Sequence, residues 1–255
     1  MLSWAGSYYL VSTVAFTVVS MVIGVRLALL SRRTGARPEL YLGGGIFLSG
    51  GIGYALVVGG AIAGAGLGAD SPLVHLAGLA GLAVHHVGVA CSLAFIVKVF
   101  RPTERWAPAL ATALLGVLAV SWLGFVATGA SPRPGGGNAW YWVGFSVMST
   151  YPFWITTESL HYWTLMRRRR DLGLADPLVT NRFALIATAS LFAAAAIWTG
   201  ALPALLGLAP SDQLRLAPLM LSATGTFGVG AIAAYWLAFF PPGWYARRLG
   251  AQTPA

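Results

Sequence analysis

Charge is what this sequence has least of. Only 9% of its 255 residues are Asp, Glu, Lys or Arg, against 57% hydrophobic. A soluble domain carries about 25% charged residues. A chain this poor in charge cannot cover a water-facing surface, so lipid is its expected solvent. Acids are scarcer than bases, 7 against 16. Cys91 is the one cysteine, which excludes an internal disulfide and a cysteine-built metal cage. Lys98 is the one lysine. No phosphate-binding glycine loop is present. The glycine-rich run Gly64-Ala65-Gly66-Leu67-Gly68 lacks the spacing of a dinucleotide fingerprint and has no strand before it.

What the chain has is seven long apolar runs separated by short polar loops. A spanning helix needs about 20 apolar residues. The runs predict an all-α, seven-transmembrane-helix bundle forming a single domain over residues 1–255, with spans near 7–30, 39–65, 72–100, 107–128, 139–166, 178–206 and 213–240. Proline stands at or near several helix starts (Pro38, Pro72, Pro177), where its missing N–H costs nothing. Ser131-Pro132-Arg133-Pro134-Gly135-Gly136-Gly137-Asn138 reads as a loop. No basic residue precedes Arg26, so the first run reads as a span rather than a cleaved signal.

The net charge of +9 would suggest nucleic acid in a soluble protein. Here the cations flank spans, and no nucleic-acid partner is expected. On the seven-span layout Arg26, Arg32, Arg33, Arg37, Lys98, Arg101, Arg105, Arg167, Arg168, Arg169, Arg170, Arg182, Arg247 and Arg248 fall on one side, and only Arg133 and Arg215 on the other. The positive-inside rule then places the N-terminus outside and the C-terminus in the cytoplasm of a multi-pass cell-membrane protein. The run Arg167, Arg168, Arg169 and Arg170 anchors the inner end of the fifth span. It is also the candidate contact for anionic lipid or a cytoplasmic partner.

Helix 2 carries Gly43, Gly44, Gly45, Gly50, Gly51, Gly53, Gly59, Gly60 and Gly64. Small residues four apart let helices approach closely in lipid, so close packing is the expected role of these glycines.

Ionisable side chains deep in a membrane are costly and usually functional. Of the acids only Glu158 falls inside a span. His161 follows three residues later and lies on nearly the same helical face, together with Tyr151, Trp154 and Tyr162. Pro152 removes a backbone hydrogen bond beside that face. Helix 3 supplies His85 and His86, which point about 100° apart. These residues suggest a ligand-binding wall made of Glu158, His161, Tyr151, Trp154, Tyr162 and His86. The alternative is a metal or haem site using Glu158, His161, His85 and His86, in a membrane enzyme or redox protein. An internal Glu158–His161 hydrogen bond is the simpler expectation.

Known seven-helix families do not fit. Retinal proteins need a Schiff-base lysine in the last helix, and Lys98 lies at the end of the third. The topology resembles that of G-protein-coupled receptors, but helix 3 ends Val97-Lys98-Val99-Phe100-Arg101, without their acidic-arginine-aromatic triplet. Helix 7 ends Phe239-Phe240-Pro241-Pro242 rather than Asn-Pro-x-x-Tyr. Helix 7 also lacks the His and Asp that zinc-dependent seven-helix hydrolases place there. The expected function is receptor- or sensor-like: binding of a small apolar or amphipathic ligand within the bundle.

Overall fold

The computed structural model describes residues 4–68, 71–132 and 138–249. Among these it is all helical, and no strand is present. Seven long helices follow the chain. They are α1 (Trp4–Thr34), α2 (residues 37–67), α3 (residues 72–100), α4 (Trp106–Thr128), α5 (Ala139–Asp171), α6 (Pro177–Leu205) and α7 (Pro210–Phe239). A short α8 (Gly243–Arg248) ends the described chain. Arg133 and Asp70, expected in outer loops, lie outside the described residues.

The helix ends follow from local chemistry. The Asp176 side chain accepts hydrogen bonds from the Leu178 and Val179 amides at 2.6 and 3.2 Å, and Asn138 accepts from the Trp140 amide at 2.8 Å. Each satisfies amides that a helix start leaves unpaired. Gly173, with φ +74°, closes α5, a left-handed position that favours glycine.

Among the described residues six helices are long and apolar enough to cross a membrane: α1, α2, α3, α4, α6 and α7. The chain thus carries the signature of a multi-pass membrane protein. The expected seventh span, α5, is long but not apolar enough to meet the same measure. Its polarity comes partly from hydroxyls that bond back to the helix itself. Ser146 donates to the Val143 carbonyl, Thr150 to Ser146, Thr156 to Pro152 and Thr157 to Phe153.

The helices pack in chain order, each against the next, and α7 returns to pack against α1. The result is a closed ring. Large apolar side chains such as Val11, Leu76, Val120 and Leu191 are exposed on its outside, as lipid contact requires. The cation-rich ends of the helices gather at one end of the ring. Arg26 lies over the Phe240 ring at 4.9 Å. Arg182 donates to the Ala238 carbonyl at 3.1 Å, and Asn181 donates to the Tyr245 hydroxyl at 2.8 Å.

Two features of α2 set up the interior. Over Ile46–Gly53 the helix widens to π geometry, a form concentrated at functional sites. Glycines on α2 and on the facing side of α3 also bring the two helices close together. A methyl group on Gly53 would stand 2.8 Å from the His85 backbone nitrogen, and one on Gly88 would collide with the Ser49 backbone. Only glycine permits this approach of α2 to α3.

Candidate functional site

The closed ring surrounds two adjoining cavities. The inner one, nearer the cation-rich end, has a volume of about 190 Å³ and takes its wall from α1, α2, α3, α5, α6 and α7. The outer one, of about 500 Å³, also involves α4. They share a partition of Tyr9, Tyr54, His85, Ala196, Ile197 and Thr224. Among the described residues neither wall contains Asp, Glu, Lys or Arg. The combination of mostly apolar lining, concave space and a few polar groups is that of a small-molecule site.

His85 is the polar centre of the partition. Its Nδ1 lies 3.1 Å from the Ser49 carbonyl oxygen, in the widened part of α2. A carbonyl only accepts, so Nδ1 carries the proton and Nε2 is left with a lone pair. That Nε2 is buried and has no hydrogen-bond partner among the described residues. The His86 Nε2 is in the same condition, and His86 lines the outer cavity. Beside them the Tyr9 and Tyr54 hydroxyls are hydrogen-bonded at 3.1 Å.

The remaining candidates separate into different places. Tyr151 lines the inner cavity. Glu158 is buried, 3% exposed, but it faces neither cavity and does not meet a histidine. Arg101 donates from Nε to Glu158 Oε1 at 2.8 Å, and the Trp154 indole donates to the same oxygen at 3.2 Å. The second carboxylate oxygen is buried without a partner among the described residues. The hydrogen bond to Glu158 holds the Arg101 guanidinium above its usual range. Trp106 stacks on Trp154 at 5.8 Å and also carries Arg101 over its ring face. Tyr162 packs on Phe100 and Phe183 and donates to the Phe100 carbonyl at 3.4 Å.

The expected Glu158–His161 pair is therefore corrected. His161 is exposed on the outer surface of α5, with its ring in edge contact with Tyr162. Three residues turn a helix by 300°, so His161 lies 60° around from Glu158. That is enough to carry one side chain to the outer surface and leave the other inside. The metal alternative meets the same geometry. Among the described residues no group of three or more His, Cys, Asp or Glu side chains is placed to hold a metal ion, so Glu158, His161, His85 and His86 are not assembled into one site.

Sequence reasoning missed Tyr9, Tyr54 and Arg101. Tyr54 did carry a signal. It is the one bulky polar side chain in the middle of a glycine-rich helix, where it has room to reach across. The chain matches no protein-family model, no curated protein and no solved structure.

Proposed function

We propose that this is a receptor- or sensor-like protein of the cell membrane that binds a small, mostly apolar molecule inside its bundle. In this reading α5 is the seventh span, the N-terminus is outside and the C-terminus is cytoplasmic. The place of α5 in the ring supports the seventh span, as do its self-satisfied hydroxyls. A 33-residue helix is also about 50 Å long, more than a hydrocarbon core requires. The gathering of cations at one end supports the orientation.

The observation that carries the ligand reading is the charge-free inner cavity walled by six helices. A molecule there touches both halves of the ring at once, so its binding energy bears on how the helices pack. The segment joining α5 to α6 begins beyond Arg167, Arg168, Arg169 and Arg170, which are mostly exposed. It is the proposed output surface, resting on anionic lipid headgroups or a cytoplasmic partner.

Native mass spectrometry of protein purified in mild detergent tests this. A bound small molecule is expected, and Ala196→Trp, which fills the partition, is expected to lose it while the protein still unfolds cooperatively. Hydrogen exchange of residues 167–182 should slow when the molecule is bound. A protein that carries nothing and shows no change in that segment with any native lipid extract contradicts the reading.

A further inference from the structure

The polar groups on the cavity walls define the ligand more narrowly. This step rests on the chamber reading above. With no Asp, Glu, Lys or Arg among the described residues of either wall, a charged ligand would bring an ion into low dielectric without a fixed counter-charge, at high cost. The ligand is therefore neutral.

Several wall hydroxyls have already committed their protons to their own helices. Ser12 donates to the Tyr9 carbonyl at 2.9 Å, Ser49 to Gly45 at 2.6 Å and Ser92 to Gly88 at 3.2 Å. At the partition the tyrosine pair and His85 keep capacity. The mutual bond of Tyr9 and Tyr54 uses one of their two hydroxyl protons, which leaves one to donate. His85 Nε2, fixed as a lone-pair acceptor by the Nδ1–H bond to Ser49, has no partner among the described residues. A residue pair with a proton to donate and a histidine with a lone pair to offer thus both belong to the wall between the cavities.

A hydroxyl group answers both, since it donates and accepts. Ethers, aldehydes and ketones only accept, and leave Nε2 unsatisfied. We infer that the ligand is an uncharged lipid-like alcohol, of isoprenoid, long-chain or sterol-like type, whose hydroxyl donates to His85 Nε2 and accepts from the Tyr9–Tyr54 pair. Its apolar body fills the cavity. The wall closes over Nε2, so seating the hydroxyl involves a local yielding of the partition.

The test uses the whole protein in nanodiscs, with labelled farnesol displaced by farnesol, its methyl ether, farnesal, farnesoic acid and farnesylamine. Farnesol should bind about tenfold tighter than the ether or aldehyde, the worth of one buried hydrogen bond, and the acid and amine should bind weakest. His85→Leu should bring alcohol and ether to equal affinity. If that variant does not fold, the wild-type ratio of alcohol to ether decides alone. Equal affinities in the wild type, or tighter binding of the acid or amine, overturn the inference. If no member of the series binds, the molecule that co-purifies decides. One bearing a hydroxyl sustains the inference, and one lacking it overturns the inference but leaves the chamber intact. No co-purifying molecule at all removes the chamber reading itself.

Discussion

Arg101→Leu is expected to destabilise the bundle by about 3 kcal/mol, and Glu158→Gln by only about 1 kcal/mol. The asymmetry comes from burial. The Glu158 side chain is 4% exposed, whereas that of Arg101 is 34% exposed. Removing the arginine strands a carboxylate that water cannot reach. Removing the carboxylate's charge leaves a guanidinium that turns to the interface, where solvent screens it. The larger figure is set at the low end for a buried pair because of that screening. Arg101→Lys, which keeps the charge but lacks the Nε donor at 2.8 Å, should fall between the two. Unfolding in mixed micelles measures all three. Equal losses for the two single variants would mean that the pair is solvated and that the end of α3 is not tied to α5 through it.

Gly88→Ala carries the second large effect, a loss of about 2 kcal/mol, within the range for overpacking a close contact. The added methyl would meet the backbone of Ser49, so α2 and α3 must separate. The Ser49 carbonyl also orients His85, so ligand affinity should fall with stability. Gly59→Ala is the matched control, because nothing lies within 4 Å of its added methyl. On helix propensity alone it should be neutral or stabilising by up to about 1 kcal/mol. If both variants lose stability equally, Gly88 of α3 acts, like Gly59 of α2, through backbone flexibility rather than through close approach.

The extent to which the sequence predicted these features follows from the range of each signal. Helices are local, and the long apolar runs placed all seven elements near their observed ranges. In the structure α1, α2 and α5 run on past the apolar stretch; α5 continues through Arg170 to Asp171. The glycines of α2 were readable as packing residues because small side chains in lipid have that one common use. Among the described residues six helices pass as spans on composition, since the polar groups of α5 count against it even where they bond to their own backbone.

The site was legible only in part. Tyr151 and His86 do line cavities, but the partner of Glu158 was misassigned. Spacing along one helix says which side chains share a face, not what stands opposite. Arg101 is 57 residues away and reads as an ordinary interfacial cation at the end of a span. The His85 tautomer was out of reach for a similar reason. It depends on a carbonyl of another helix, in a stretch whose widened turn leaves no mark in composition.

The measurement that bears most directly on the central claim is a cryo-electron microscopy map of the protein taken from its own membrane into nanodiscs. The account predicts seven transmembrane helices in a closed ring, with density for an elongated molecule whose polar end lies against His85, Tyr9 and Tyr54. A map in which α1, α2 and α6 meet without a space between them, or in which α5 lies outside the bilayer, would contradict it.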